Sequence, residues 1–313
     1  MTARHRRVLR DWLDAPPHYR PWLLLNRMGF QLVRTLVANF RHRLRPAPRF
    51  PALAAYQEVL DRDGIVVIPD FLPSDAFAEV ERAYAELGNS NHIRAEYDKG
   101  GTGVDWFTGR IDPGQERSAA EEILTLHIAR NPVIRSLAEH VLRRTISRAP
   151  TLSYQRLAVR PEMCDDKDIE CVLHADRHYP CVKVAYYMGE NLPENGAYVF
   201  ARGSHRVTPA RLRHEYEYSQ RQGKFIAGRG GLESALLERG RNKISDGARA
   251  DMGIVEESIV GGKNTLVLSN NAGFHKRGTI TPGKERKQIR ILFYYTQRPW
   301  YGRLMARLLP KSD

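Results

Sequence analysis

Between residues 18 and 44, Trp22, Leu25, Met28, Leu32, Leu36 and Phe40 recur at spacings of three and four, the period of one helix face. Arg20, Arg27, Arg34 and Arg41 recur every seven residues and fall on another face as a slowly drifting stripe. The pattern predicts an amphipathic helix with a cationic polar side. Two surroundings accept such a helix. One is the protein's own core, with the arginines in solvent. The other is an anionic membrane interface, with Trp and Phe on the buried side. RPAPRFPA, residues 45–52, then breaks the pattern.

Beyond the break the periods shorten. Residues 53–62 read as a helix, Asp63-Gly64 as a turn, Ile65–Ile68 as a β-branched strand and about 75–87 as a second helix. A helix-rich segment covers roughly 116–144, after a less regular stretch. Short β-like runs follow at 151–160, 181–188, 197–201, 264–269 and 288–296, separated by Gly, Pro and Asn. Such runs predict a mainly β domain with flanking helices, of the jelly-roll type. The segment 206–251 is a basic insertion with helical character at 208–221 and 232–239, and its Gly-rich flanks make it a candidate lid. The expected organisation is a basic amphipathic helical arm over 1–50 and a single domain over 51–313. That domain ends in a basic tail, 298–313, whose Trp300, Leu304 and Leu308 echo the front of the chain.

Charge sharpens this division. The chain carries +13, but residues 1–50 hold eleven Arg, no Lys and two Asp, a net +9, so the remaining 263 residues carry only +4. A nearly neutral body with a cationic front points to an anionic surface or an anionic substrate. The Arg-rich stretch 4–10 is followed by Asp11, Asp14, Pro16 and Pro17 rather than an apolar run, so it does not read as a signal peptide. A spanning helix over 21–40 is disfavoured by Arg27 and Arg34, each costing about 2.5–3.5 kcal/mol at mid-bilayer. Cys164, Cys171 and Cys181, spaced 7 and 10 apart, form no C-x-x-C pair and read as reduced thiols. The expected location is therefore cytoplasmic, peripheral on the inner face of the cell membrane.

The chemistry-bearing residues lie further along. His174 and Asp176 stand two apart, so on extended chain both point the same way and can meet one cation. His275, just after the apolar run NTLVLSN, is placed to supply a third ligand from a distant strand. Two His and one carboxylate on one face of an octahedron leave three open positions, the facial triad of non-haem iron(II) oxygenases. Arg286 follows eleven residues after His275, at the start of another strand. An arginine there supplies the bidentate, always-charged partner that the far carboxylate of a chelating dicarboxylate needs. Arg290 falls on the same side of that strand and competes for the role.

At these residues the chain resembles the phytanoyl-CoA dioxygenase-like branch of iron(II)/2-oxoglutarate oxygenases, over roughly residues 56–297. The resemblance rests on DGIVVIPDFL before a helix, the His174-Ala175-Asp176 triplet, NGAYVFARGSHR, the distal His275 and the spacing to Arg286. It implies a double-stranded β-helix core, iron(II) on His174, Asp176 and His275, and 2-oxoglutarate and O2 as cosubstrates, with Arg286 as anchor. It also places Tyr186, loosely, where the family often has an aromatic beside the cosubstrate. Lys276 and Arg277 depart from the small residues the family has after the distal His, and are expected to face a negatively charged substrate. Asp176 keeps the carboxylate ligand that related halogenases lack, so hydroxylation of an unactivated C–H is the expected chemistry.

The substrate is less directly written. The basic arm, tail and insertion point to an anionic, lipid-linked molecule met at a membrane, such as the Kdo sugar of lipopolysaccharide, or to an acyl thioester. The alternative is the same chemistry on a soluble small molecule such as an amino acid or secondary metabolite. A non-catalytic nucleic-acid-binding protein is a remote alternative, because the cations accompany an apolar helix face rather than stacking aromatics.

Overall fold

The structure is a computed structural model, described for residues 23–293 except 91, 99–100, 148, 163–168 and 225–241. The expected 232–239 helix, the basic tail, Trp22 and Cys164 lie outside the described residues. Strands comprise β1 (Ile65–Ile68), β2 (Arg94–Glu96), β3 (Val104–Ile111), β4 (Leu152–Val159), β5 (His174–Ala175) and β6 (Val182–Tyr187). They continue with β7 (Tyr198–Phe200), β8 (Asn242–Lys243), β9 (Glu257–Ile259), β10 (Leu266–Asn270), β11 (His275–Arg277) and β12 (Glu285–Phe293). Helices are α1 (Leu23–Arg27), α2 (Phe30–Arg43), α3 (Ala54–Asp63), α4 (Ser74–Gly88), α5 (Ala119–Leu124), α6 (Pro132–Leu142), α7 (Pro209–Lys224) and α8 (Asp246–Asp251).

The strands form a larger sheet, β1-β10-β6-β12-β4-β3-β2, and a smaller one, β8-β5-β11-β7-β9. Neighbours in both pair antiparallel, and the β-rich core with flanking helices is as the strand pattern predicts. Strand parity divides the larger sheet into two apolar faces. Val182, Val184, Tyr186, Leu266, Leu268, Ile289 and Ile291 face outward and pack on Phe77, Val80 and Leu87 of α4 and on Ile134 and Leu137 of α6. Ile65, Ala185, Tyr187 and Val267 face inward and meet Tyr198, Phe200 and Ile259 of the smaller sheet. The interior between the sheets holds the cavity described below.

β2 and β3 occupy the stretch whose sequence reads as irregular. Gly109 interrupts β3 and argues against a strand when read alone. Its register partner is Tyr154, and a Cβ at Gly109 would lie 1.9 Å from the Tyr154 ring. The glycine is there because an aromatic ring from β4 covers it.

The front of the described chain departs most from expectation. The predicted continuous helix breaks at Gly29, whose φ of 87° suits glycine and separates α1 from α2. The inward face of α2 is Gln31, Arg34, Thr35 and Ala38, and Arg34 is fully buried rather than solvated. Gln31 Nε2 donates to Glu215 Oε2 of α7 at 3.0 Å, and Arg34 donates to Gln31 Oε1 at 3.0 Å. Arg211 Nε and Asn242 Nδ2 also donate to Glu215, at 3.0 and 2.6 Å. A carboxylate on α7 therefore organises a buried polar seam, and the apolar side of the helix turns to solvent. Met28 is 80% exposed, Leu24 68% and Phe40 63%, with Val33, Leu36 and Leu44 exposed beside them. The expected solvated arginine stripe is thus corrected, since its middle member is buried.

Candidate active site

His174 opens β5 and His275 opens β11, and the two residues are direct partners in antiparallel register. Asp176 follows β5, its backbone N–H held by the Asn271 carbonyl at 3.0 Å. One donor atom from each of His174, Asp176 and His275 lies within 4.8 Å of the others. Asp176 Oδ1 is 3.8 Å from His174 Nε2 and 3.6 Å from His275 Nε2. Each imidazole is oriented from behind: His174 Nδ1 is 2.6 Å from the Val172 carbonyl oxygen, and His275 Nδ1 is 3.0 Å from that of Gly273. With Nδ1–H donated to a carbonyl, Nε2 carries the lone pair that a metal takes.

Electrostatics agree with this tautomer. Burial lowers the His275 pKa, and Lys183 adds to the effect, so the ring is neutral. Burial works against ionisation of Asp176, but the nearby Lys183 ammonium outweighs it and holds the carboxyl well below its usual range. Two imidazoles and one carboxylate fit a divalent iron, and such a donor set leaves one face of an octahedron open.

His174 and His275 edge an open cavity of about 530 Å³, mouth included, whose wall includes Lys183, Tyr198, Arg286, Gln288 and Arg290. Arg286 is buried and donates from one terminal nitrogen to the Gly196 carbonyl at 3.0 Å. Burial, with like charge from Arg277 and Arg290, brings its pKa down to about 10, which still leaves it charged at neutral pH. Its Nε has no hydrogen-bond partner. Arg290 lines the same cavity, as its strand parity predicts.

Tyr186 is not beside the cavity. It stands in β6 with the outward parity, packs edge-on to Phe71 and Phe77, and donates to Asn264 Oδ1 at 2.7 Å. The expected aromatic role beside the cosubstrate is thus corrected: the aromatic in the wall is Tyr198, 5.5 Å from the His275 ring. Lys276 lines the cavity but is paired with Glu256 at 2.6 Å. His178, near the triad in sequence, is absent from the cavity wall.

Three further residues touch the triad without having been singled out. Lys183 Nζ lies 3.5 Å from Asp176 Oδ2 and 3.1 Å from His275 Nε2. Asn271 Nδ2 donates to Asp176 Oδ2 at 2.8 Å and is 3.1 Å from His275 Nε2. Tyr198 donates to Asn271 Oδ1 at 3.1 Å, so it supports the same asparagine. The available signal was Lys183 itself, a cation inside the apolar strand run CVKVAYYM.

No curated protein gives a significant match to the chain. Among solved structures, the epimerase SnoN in complex with Fe3+, alpha-ketoglutarate and nogalamycin RO is similar at a TM-score of 0.52 and 15% identity, over 79% of this chain and 86% of that one. EctD from S. alaskensis with bound Fe is 17% identical at a TM-score of 0.47, over 79% of this chain and 82% of that one. At such identities the likeness to SnoN speaks for the fold. The family evidence is separate: the model described as phytanoyl-CoA dioxygenase (PhyH) matches residues 60–246, a span that contains His174 and Asp176. The chain belongs to the phytanoyl-CoA dioxygenase family and is an iron(II)- and 2-oxoglutarate-dependent oxygenase.

Proposed function

We propose that this oxygenase hydroxylates an unactivated C–H of an anionic, lipid-linked substrate at a membrane surface, with iron(II) on His174, Asp176 and His275. Bound iron, 2-oxoglutarate and O2 supply oxidative decarboxylation of the cosubstrate to succinate and CO2, coupled to insertion of one oxygen atom into the C–H bond. The chain's own contribution is positional. His174 and His275 present Nε2, Asp176 supplies the anionic ligand, and Asn271 holds the second oxygen of that carboxylate. Arg286 offers its guanidinium to the far carboxylate of the cosubstrate, leaving the rest of the cavity for the substrate.

The outward apolar face of α1 and α2 carries the membrane assignment. Leu24, Met28, Leu36, Phe40 and Leu44 are exposed, and Arg27 and Arg43 lie exposed among them. Apolar side chains ringed by arginine favour an anionic bilayer. No helix among the described residues is long and apolar enough to cross a membrane, so attachment would be peripheral. Within this class, the Kdo sugar of lipopolysaccharide presents a carboxylate, and an acyl thioester is anionic where its carrier bears phosphate.

Co-sedimentation of the full chain with anionic and with neutral vesicles tests the assignment. Binding to anionic vesicles that weakens with salt supports it; equal recovery in the supernatant with both sinks it. The likeness to SnoN, crystallised with nogalamycin RO, favours instead a soluble small molecule as substrate. In that case vesicles leave turnover unchanged, and α1–α2 serves another contact.

A further inference from the structure

We propose that the cavity holds a second anion site, built on Arg290 and Gln288, which takes the acidic group of the primary substrate while Arg286 holds the cosubstrate. The proposal rests on the reading of Arg286 as the cosubstrate anchor.

Charge is the first ground. Lys183, Lys276, Arg277, Arg286 and Arg290 line the cavity. Lys276 is neutralised by Glu256 at 2.6 Å. A divalent metal and a dianionic cosubstrate cancel one another's charge when both are bound. Lys183 then faces Asp176, while the Arg290 side chain has no ion pair among the described residues. An unpaired cation in a concave, low-dielectric wall calls for a further anion.

Strand geometry is the second. Arg286, Gln288 and Arg290 share the inner face of β12. Residues four apart on a strand are separated by about 13–14 Å at the Cα atoms, so the two arginines rise from opposite ends of the wall. Arg286 is opposite Leu157, whereas Arg290 is flanked by Ser153 and Ala185. Small neighbours on both sides leave room above Arg290 for a ligand.

Hydrogen bonding is the third. Arg286 is anchored on the Gly196 carbonyl. The Arg290 side chain makes no hydrogen bond or ion pair among the described residues, and its Nε is buried without a partner. Gln288 Nε2 donates to Gln155 Oε1 at 3.1 Å, while its own Oε1 is buried and unpartnered. A donor fork and an acceptor are thus left facing one space. The fork suits a carboxylate or phosphate, and the acceptor suits a hydroxyl of the same molecule. The substrate class is an acid that also bears hydroxyl groups.

The test is calorimetry on the full chain loaded with Mn(II) and saturating 2-oxoglutarate, with inorganic phosphate as probe. Phosphate should bind the wild type, and Arg290→Ala should weaken it about ten-fold or more. Arg290→Lys, which keeps the charge and loses the fork, should fall between them and serves if the alanine variant does not fold. Affinity for 2-oxoglutarate should stay within about two-fold of wild type in both, as expected for an independent site. Absence of phosphate binding in the wild type, or equal binding in all three proteins, overturns the proposal. So does loss of 2-oxoglutarate binding in Arg290→Ala, which would make Arg290 the anchor. Arg286→Ala separates the underlying reading: unchanged 2-oxoglutarate affinity there removes Arg286 as anchor, whatever phosphate does. Displacement of phosphate by phosphatidic acid vesicles or by soluble glycerol phosphate tells a lipid-borne anion from a free one.

Discussion

His174 and His275 are direct partners across antiparallel strands, with ring centroids 4.6 Å apart. The candidate metal site is therefore set by strand register, since a slip of one residue would turn either ring to the other face. Asn271 contributes from the segment between β10 and β11 by fixing the Asp176 carboxylate. His275→Ala is expected to abolish measurable Fe(II) binding, and Asn271→Ala to weaken it about 10–100-fold, the usual effect of removing a partner that orients a ligand. Metal titration, with circular dichroism to confirm folding, checks both.

Arg286 and Tyr186 make opposite predictions. Arg286→Ala should raise the KM for 2-oxoglutarate about 10–100-fold, because a charge-assisted pair is lost. Tyr186→Phe removes only the bond to Asn264 Oδ1 and should cost about 1 kcal/mol of stability, with the KM unchanged. A raised KM in Tyr186→Phe would return that residue to the cosubstrate.

Met28 and Phe40 are exposed at 80% and 63%. Changing either to Asp should leave stability within about 0.5 kcal/mol, as for other surface positions. Each buried side chain of this size is worth about 1.5–3 kcal/mol, so vesicle partitioning should fall at least ten-fold in either variant. Unchanged co-sedimentation would remove this face as the membrane contact.

Glu215 accepts from Gln31, Arg211 and Asn242 in the interior. Glu215→Ala leaves Arg211 buried without its counter-ion and should cost about 3–5 kcal/mol. Urea unfolding measures the loss; a change under 1 kcal/mol would mean that water relieves the seam.

Acid should destabilise the fold in a defined window. Burial depresses His42, His205 and His214 from 6.5 to about 4. As pH falls below 6.5 the unfolded chain takes up protons before the folded one, so stability is fully present above that pH. It is lost progressively toward pH 4, where the folded histidines also titrate. Thermal unfolding across this range should show a falling midpoint, with a shallower slope in His205→Asn.

The sequence by itself determined several of the longer elements and the order of the chemistry. Alternation and turn residues placed β4, β6, β7 and β10 close to their observed bounds. Two residues' separation was enough to point His174 and Asp176 the same way, because that relation is local. The inner side of β12 followed from the parity of Arg286 and Arg290. Tertiary structure alone decided which face of an element is inside. In β6 both faces are apolar, since helices cover one side and the second sheet the other, so parity could not tell Tyr186 from Lys183. In α2 hydrophobicity pointed the wrong way, because Glu215, far along the chain, makes the polar side the buried one. Local pattern fixes periodicity, whereas the partner that completes a face comes from a distant part of the chain and is known only once the chain has folded.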